Sequence, residues 1–332
     1  MKTRLLFYIT LIFIILTCDN SSTEPEKSTF GDRDFRKNMR NFVQDLSDYA
    51  KNIDDDFLII PQNGHSIISD DDEISDSLHL EYFLAIDGIG REDLFYGYDD
   101  DDKATSTGII EEFTAFLNIY EDNNLEVLVT DYTDTPSKID NSYSQNESRG
   151  YISFAATRRD LNNIPAYPES PYNENSDNIS NLSDVQNFLY ILDPGNDQFF
   201  SDRNDYLNSI QATNYDLFII DAYYSDDILT QDEVQNLKQK SNGADRLVIA
   251  YMSIGEAEDY RNYWQKSWNT NLPEWIEAEN PNWPGNYKVR YWEQDWQDIF
   301  FGNDDSYLKD ILNCGFNGVY LDIIDAYEYF ED

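Results

Sequence analysis

The chain alternates short, nearly continuous apolar runs with amphipathic stretches. Such runs are typical of β-strands buried on both faces, as in parallel sheets. The stretches between them, for example 232–243 and 305–315, carry apolar residues at helical spacing. In chain order the predicted strands are 57–64, 82–90, 126–132, 151–157, 217–224, 246–256, 287–292 and 318–325.

This alternation predicts an α/β protein with a (β/α)8 TIM barrel, in which each parallel strand is followed by a helix. One domain would span residues 35–332, with an irregular joining segment rich in Asn, Ser and Pro at 158–187. The run "FLYIL" at 188–192 is a ninth strand candidate. It would either close the barrel or cover its base.

Polar side chains recur at the predicted C-terminal ends of the strands. A single Asp after a strand is most often a helix cap or a turn residue. Seven such residues would meet on one rim, which is where barrel enzymes hold their active sites. They are Asn63, Asp87, Asp131, Asp221, Glu256, Asp322 and Asp325.

The first helix and the last strand are predicted to be neighbours. Apolar residues at helical spacing over 38–51 indicate a helix before any strand, whereas 318–325 reads as a strand with no helix after it. If this helix packs between strands 57–61 and 318–322, the ring of units closes. A barrel places its termini side by side, so the chain can be cut between any two units.

The first residues read as an export signal. Lys2 and Arg4 precede an apolar run from Leu5 to Leu16, and Cys18 ends a lipobox-like "ILTC". We expect residues 1–18 to be a lipoprotein signal peptide, with Cys18 lipidated, and 19–34 to be a flexible tether. A simple N-terminal membrane anchor is the alternative, but the apolar run is short for a spanning helix. The expected location is the bacterial cell envelope or cell surface, with the membrane touched only through the lipid.

Composition excludes several classes of function. The net charge of −42 opposes nucleic-acid binding, because a phosphate backbone would be repelled. It suits a cationic partner or simply a solvated acidic surface. With two histidines in the chain, a His-rich metal site is not expected, and "DGIGRED" lacks the third glycine of a dinucleotide fingerprint, so no cofactor or metal is predicted. Carboxylate and aromatic residues remain in quantity, and these are the materials of a carbohydrate site.

Five segments resemble glycoside hydrolase family 114: "VIAYMSIGEAEDYRNYW", "ENPNWPGNYKVRYW", "GFNGVYLDIIDAYEYF", "FLIIPQNG" and "IDGIGREDLFYGYD". They are most similar to its branch of uncharacterised extracellular proteins, once labelled as related to cysteinyl-tRNA synthetase. The resemblance covers about residues 38–160 and 186–330. It implies a (β/α)8 barrel and an endo-α-1,4-polygalactosaminidase-like activity. In the family the strand matching 318–325 precedes the helix and strand matching 38–64, so the resemblance also implies a circular permutation.

The resemblance implies a catalytic pair. Asp322 matches the family's acid in its "DGV-x-x-D" strand, and the second acid follows the strand matched by "LAIDGIGRED", where Glu92 is favoured over Asp87. Around this pair, sugar hydroxyls or ammonium groups are expected to meet Asp221, Glu256 and Asp325. Tyrosines and tryptophans could stack on sugar faces or simply pack in the core, and Arg290 is expected to face inward and pair with a rim acid. The candidates for stacking are Tyr251, Tyr320, Trp264 and Trp292.

Two functions follow from these residues. The first is a cell-surface glycoside hydrolase that cleaves a cationic amino-sugar polysaccharide, such as an α-1,4-linked galactosamine polymer, with two carboxylates. The second is a surface lipoprotein with the same fold that binds carbohydrate without cleaving it. Intact acids at both expected catalytic positions favour the enzyme, although a fold alone does not decide between them.

Overall fold

A computed structural model describes residues 30–74, 77–192, 194–195 and 199–331. The expected signal peptide, the lipidation site Cys18 and most of the tether lie outside the described residues. Residues 30–34 contain a turn but no helix or strand. Contacts divide the chain into Met1–Asp34 and Phe35–Asp332, and the second unit carries all the elements below. No helix in the described part has both the length and the apolar character needed to cross a membrane.

Helices and strands alternate along most of this unit. The helices are α1 Phe35–Lys51, α2 Thr107–Asp122, α3 Pro136–Glu147, α4 Arg203–Gln211, α5 Gln231–Leu237, α6 Gln294–Phe300, α7 Tyr307–Cys314 and α8 Glu328–Glu331. The strands are β1 Leu58–Pro61, β2 Gly88–Glu92, β3 Glu126–Tyr132, β4 Ile152–Ala156, β5 Phe188–Ile191, β6 Leu217–Asp221, β7 Tyr223–Tyr224, β8 Asp227–Ile228, β9 Leu247–Ser253, β10 Glu256–Glu258, β11 Ile276–Glu279, β12 Asn286–Val289 and β13 Gly318–Asp322. Four 3₁₀ turns lie at His65–Ile68, Leu80–Leu84, Leu182–Asp184 and Ile324–Tyr327.

The core consists of parallel strands, as the apolar runs predicted. A five-stranded sheet has the order β1-β13-β9-β6-β5, and a three-stranded sheet has the order β2-β3-β4. Every pairing within these two sheets is parallel. Strands β5, β6 and β9 are buried at every residue, which explains why their sequences lack alternation.

The two parallel sheets meet at both edges, but they do so differently. Between β1 and β2, the backbone N–H of Asp87 donates to the carbonyl of Ile59 (2.9 Å) and the N–H of Asn63 donates to the carbonyl of Gly90 (2.8 Å). Between β4 and β5 the contact includes the rings of Phe154 and Phe188, whose centroids are 5.7 Å apart. No strand ladder joins β4 to β5 in the described residues. The α/β class with parallel sheets is therefore confirmed, and a continuously hydrogen-bonded ring is not formed.

The structure differs from the strand prediction at 82–90, where β2 begins only at Gly88, and at two further places. The ninth candidate, 188–192, contains β5 and is one of the eight parallel strands. The prediction of a barrel strand at 287–292 is wrong. Residues 286–289 form β12, the middle strand of an antiparallel sheet ordered β10-β12-β11. Three of the four β12 residues are only half-buried, so this strand lacks the two-sided burial of the parallel strands.

Helix α1 packs across the elements that flank β1 and β13. The rings of Phe42 and Phe300 are in contact, with centroids 6.0 Å apart. Phe300 ends α6, which precedes β13 in the chain. The hydroxyl of Ser47 donates to the carbonyl of Ala85 (2.6 Å), just before β2. Segment 158–187, fully described, has no regular element except the 3₁₀ turn at Leu182–Asp184.

Candidate active site

Two carboxylates from different sheets meet at the C-terminal ends of their strands. Glu92 ends β2 and Asp322 ends β13. The side-chain amide of Gln62 bridges them, since its Nε2 donates to Glu92 Oε2 (2.7 Å) and to Asp322 Oδ1 (3.0 Å). Glu92 Oε2 and Asp322 Oδ1 are therefore no farther apart than the sum of these two distances. Gln62 is itself held by the Tyr190 hydroxyl, which donates to Oε1 (2.9 Å).

Each carboxylate also accepts further hydrogen bonds. Glu92 accepts from the hydroxyl of Tyr132 and from Asn63 Nδ2 (3.0 Å). Asp322 accepts from the hydroxyl of Tyr251 (2.7 Å) and from the backbone N–H of Ile323 (2.8 Å). Burial raises the pKa of both tyrosines well above the usual value, and the adjacent carboxylates add to this. Tyr132 and Tyr251 therefore stay protonated and act as donors.

Asp322 binds a proton more tightly than a free carboxyl group does. Burial raises the pKa of Asp322 well above its usual value, and the negative charge of Glu92 raises it further. Hydrogen bonds from Tyr251 and the Ile323 N–H oppose this rise but do not cancel it. Asp322 therefore keeps its proton to a higher pH than a free carboxyl group does.

The pair lies in a cleft of about 780 Å³. Its walls come from the ends of the parallel strands, from the segment after β4 and from the turns around β10 and β12. Among the described residues, eight carboxylates and two arginines line it. They are Glu92, Asp160, Asp221, Asp226, Glu256, Glu258, Asp322, Asp325, Arg159 and Arg261.

Most of the wall charges are already paired. Arg261 forms ion pairs with both Asp221 and Glu258. Glu256, almost fully buried, forms an ion pair with Lys288 and accepts from Asn280 Nδ2 (2.9 Å). Consequently Asp221 and Glu256 lie in the cleft as expected from the sequence, but each has a cationic partner of its own.

Asp325 differs from these wall acids. It lies in the 3₁₀ turn after β13 and lines the cleft. Within the described residues no ion pair joins it to a cation. Burial raises its pKa, and the positive charges of Arg91 and Lys288 act against that rise. Asp325 thus offers a carboxylate to whatever enters the cleft.

Two residues expected on the rim lie elsewhere. Asp87 precedes β2 rather than ending it, and it forms an ion pair with Lys51 (3.0 Å), so its expected position at a C-terminal strand end is wrong. Asp131 is fully buried within β3, where its carboxylate accepts from the backbone N–H of Phe95 (2.8 Å) and from the Ser142 hydroxyl (2.6 Å). Neither residue is part of the described cleft lining.

Two further expectations need correction. Arg290 follows β12 in the antiparallel sheet and forms an ion pair with Glu277, so the inward-facing barrel position predicted for it is wrong. Tyr320 is fully buried and packs edge-on against Tyr190, with ring centroids 5.4 Å apart. Its hydroxyl fills the space beside Gly90, where a Cβ atom would come within 1.8 Å. Tyr320 is therefore a packing residue beneath the pair rather than a sugar contact.

The tryptophans weighed in the sequence also pack against protein. Trp264 stacks on Tyr287 at 5.1 Å, and Trp292 lies against Phe35 at 5.2 Å. Sequence reasoning missed the bridge formed by Gln62 and Tyr190, the ring of Tyr132, and Trp283 in the cleft wall. Gln62 could have been found, because it lies near the C-terminal end of the predicted strand 57–64, directly before the rim candidate Asn63.

A site for a resident metal is not evident in the described residues. The one group of three carboxylates close enough to share a cation is Asp54, Asp55 and Asp56, and all three are exposed. These residues form a turn before β1 and do not line the cleft. Exposed acidic turns of this kind are common without a bound ion, so we assign it no role.

Comparison with known proteins gives one family match and several similar proteins. Residues 170–332 match the model of glycoside-hydrolase family GH114. Three uncharacterized proteins are similar over shorter stretches. MJ1477 of Methanocaldococcus jannaschii is 38% identical over 188 residues, 55% of this chain and 49% of that protein. A Thermotoga maritima protein is 54% identical over 82 residues, 25% of this chain and 24% of that protein.

The third relative, from Deinococcus radiodurans, is 39% identical over 122 residues, 37% of this chain and 37% of that protein. The chain thus spans about half the length of the first relative and less of the other two. None of the three names states an activity.

Proposed function

We propose that the protein is a glycoside hydrolase of family 114, whose model matches residues 170–332, with Asp322 and Glu92 as its catalytic pair. The observation that carries the proposal is the pair of strand-end carboxylates bridged by Gln62 at the cleft. Glycosidic cleavage needs one carboxyl group to protonate the leaving oxygen and a second to attack the sugar or activate water. A pair that retains one proton provides both forms at once.

The separation of the pair favours a double-displacement mechanism. Retaining enzymes hold their carboxyl groups about 5–5.5 Å apart, whereas inverting enzymes leave about 6.5–9.5 Å for a water molecule. Two oxygens that share one amide donor, through bonds of 2.7 and 3.0 Å, leave little room between them for a water molecule, which supports the retaining mechanism. In the first step a carboxylate oxygen bonds to the anomeric carbon, while the bond to the leaving oxygen breaks and that oxygen takes the proton of the other carboxyl. In the second, water attacks the same carbon, gives its proton to that carboxylate and releases the enzyme's ester oxygen.

The substrate that fits this cleft is a cationic amino-sugar polymer. The lining of the described cleft has an excess of carboxylates, and both of its arginines are engaged by Asp93, Asp101, Asp221 or Glu258. An anionic polymer would be repelled, whereas an ammonium group would be attracted. Asp325 is suited to accept such a group. A partially deacetylated α-1,4-linked galactosaminan meets these conditions, and added salt should weaken its binding.

The fold completes the proposal. We infer that the eight parallel strands form a (β/α)8 barrel whose backbone ladder is open between β4 and β5. We also propose that the units are circularly permuted, so that α1 follows β13 in space. The pairing of β1 with β13, the position of α1 and the match of the family model to 170–332 support this order.

Export and lipid anchoring at Cys18 remain proposals from the sequence. Replacing Cys18 by Ser should abolish lipidation and release the protein from the membrane fraction. An unchanged mass and an unchanged fractionation would reject this part of the proposal without touching the rest.

The test of the hydrolase is an assay of reducing ends. Wild type, Asp322→Asn and Glu92→Gln are compared on partially deacetylated α-1,4-galactosaminan, with circular dichroism to confirm the fold. Each variant should lose roughly 10²-fold or more in kcat, since general acid–base catalysis alone contributes about 10²–10⁴-fold. Full activity in Asp322→Asn would rule out its role. If wild type binds hexosamine polymers but cleaves none, the carbohydrate-binding lipoprotein becomes the better description.

A further inference from the structure

Two aromatic side chains in the cleft wall are unusually exposed. Of the described aromatic residues, Tyr260 (58% exposed) and Trp283 (55% exposed) are the most accessible, and both line the cleft that holds the carboxylate pair. The other tryptophans pack against neighbouring rings. Isolated exposed apolar residues need no explanation, but two such residues within one polar cleft indicate a ligand surface.

Hydrogen bonds hold the turn that carries Trp283. Trp283 lies in the turn between β11 and β12, between Pro281 and Pro284. Its N–H donates to the carbonyl of Asn280 (3.2 Å), and its carbonyl accepts from the N–H of Asn286 (3.0 Å). Asn280 is fixed in turn by its side-chain bond to Glu256 (2.9 Å). A tryptophan on such a turn would lose little conformational freedom when a ligand stacks on it.

Tyr260 is joined to the same turn. Its hydroxyl is within hydrogen-bond distance of Glu258 Oε1 (2.9 Å) and of Asn286 Oδ1 (3.1 Å). A Cβ atom placed on Gly285 would lie 3.7 Å from Tyr260 Cδ1, so the turn passes directly beside the ring. Asn286 and Gly285 therefore connect the two aromatic residues into one wall of the cleft.

The surroundings of these rings match the two kinds of surface on a sugar. A pyranose ring presents C–H groups on its face, which pack on an aromatic ring, and polar groups at its edge, which need hydrogen bonds. Glu258 and Asn286 lie beside Tyr260 and can take the edge groups. The hydrogen bonds of Tyr260 go to Glu258 and Asn286, on the wall formed by the turns around β10 and β12, whereas Asp322 and Glu92 end the parallel strands β13 and β2.

We propose that Trp283 and Tyr260 form an aromatic platform that binds a pyranose ring of the polymer, one or more units away from the bond that is cleaved. This proposal rests on the proposed function, since it assigns an additional sugar subsite to the same cleft. It implies that the enzyme engages a polymer along its length. Chains too short to reach the platform should gain nothing from it.

The experiment separates the platform from the catalytic pair. Binding of partially deacetylated α-1,4-galactosaminan is measured in the Asp322→Asn background, with and without Trp283→Ala or Tyr260→Ala. Each substitution should weaken binding roughly 3- to 10-fold, the range expected for loss of one stacking contact. Tyr98→Ala, an aromatic residue 46% exposed outside the cleft lining, is the matched control and should bind like its parent.

A kinetic comparison completes the test. In otherwise wild-type enzyme, Trp283→Ala should raise KM for the polymer by a similar factor and change kcat little, as expected for an interaction made equally in the ground state and the transition state. Unchanged polymer affinity in both variants overturns the platform while leaving the hydrolase proposal intact. Polymer binding without cleavage by wild type overturns the hydrolase alone. If Asp322→Asn binds no hexosamine polymer, or if Trp283→Ala alters only the oligomeric state in sedimentation, the platform is rejected.

Discussion

At the scale of single residues, Gln62 joins the two carboxylates of the cleft, since its amide donates to both Glu92 and Asp322. Burial raises the pKa of Asp322, and the negative charge of Glu92 raises it further. A hydrogen bond donated to a carboxylate favours its charged form, so the Gln62 amide should act against this rise. Without this amide, the carboxylate pair should take up protons at higher pH.

The prediction for Gln62→Leu is a loss of activity together with a shift of the pH profile. Hydrogen bonds to charged groups contribute about 1.5–3 kcal/mol, so kcat should fall roughly 10- to 100-fold. Both limbs of the kcat/KM profile should move to higher pH. Tyr190→Phe removes only the bond behind the amide (2.9 Å) and should have a smaller effect of the same sign. A fall in activity without a shift of either limb would show that Gln62 acts only on packing.

Asp131 makes a different prediction, one about stability. Burial raises its pKa to about 6, although hydrogen bonds from Ser142 and from the N–H groups of Phe95 and Tyr96 act against this. A raised pKa means that the folded state binds the proton more tightly than the unfolded state. The contribution to stability is therefore full below about pH 4 and is lost as the pH rises through about 6.

Replacing Asp131 with Asn removes this titration. The difference in unfolding free energy, wild type minus variant, should fall by about 3 kcal/mol between pH 4 and pH 7, as a two-unit shift implies. Urea unfolding at several pH values measures it. Asp122→Asn, an exposed change at the end of α2, is the control. A difference that stays constant with pH would contradict the raised pKa.

The sequence did not predict the position of β2, a strand that contains Gly88 and Gly90 instead of β-branched residues at these positions. The run 82–90 predicts one strand, but its first residues belong to the 3₁₀ turn Leu80–Leu84 and β2 begins only at Gly88. Gly90 leaves room for the Tyr320 hydroxyl, so this strand could not carry a β-branched residue there. Strand propensity could not reveal this, because the requirement comes from a distant side chain. The resemblance that favoured Glu92 over Asp87 pointed to the acid that lies in the cleft.

At the scale of elements, the docking of α1 depends on Arg36. Its guanidinium is buried, donates to Glu331 (3.0 Å) and Asp72 (2.8 Å), and lies over the ring of Tyr327 at 4.4 Å. It also donates to the carbonyl of Ser66 (3.1 Å). Arg36 thus connects α1 to α8 and to the segments after β1 and β13. The amphipathic pattern predicted the helix, but it did not indicate a buried arginine.

Arg36→Met should destabilise the fold. It keeps most of the aliphatic volume but leaves several acceptors without their donor, and the expected loss is about 2–3 kcal/mol, since Asp72 remains partly solvated. Chemical denaturation measures the loss. Asn41→Ala, an exposed substitution on the same helix, is the control. Equal stability of the two variants would show that apolar contacts alone dock α1.

The elements predicted well were those buried on both faces. Strands β5, β6 and β9 are recognisable because two-sided burial demands continuous apolar residues. Strand β12 was misassigned because Tyr287 and Val289 resemble a barrel strand in composition, although it pairs antiparallel with β10. Direction of pairing is not encoded in such a short apolar run.

At the scale of the whole molecule, the proposed permutation can be tested by rearranging the chain. Phe35 and Phe330 stack with ring centroids 5.4 Å apart, and Arg36 donates to Glu331 (3.1 Å). A short flexible linker can therefore join residue 331 to residue 35. The new termini belong in segment 158–187, which has no helix or long strand to interrupt.

The stability of the permuted variant should depend on where the chain is opened, because part of segment 158–187 is hydrogen-bonded to a buried ion pair. Lys240 and Asp216 form a fully buried ion pair, and Asn175 donates to Asp216 (2.8 Å). An opening near Glu169, outside this network, should preserve the fold and the activity of wild type, with a stability loss set mainly by the added loop entropy of about 1–3 kcal/mol. An opening between Asn175 and Asn187 should cost more, since it frees the groups that satisfy the buried pair. Circular dichroism, urea unfolding and the reducing-end assay report each outcome.

Failure of the variant opened near Glu169 to fold would contradict the permuted order. It would show that placing α1 directly after β13 in the chain is not compatible with this fold.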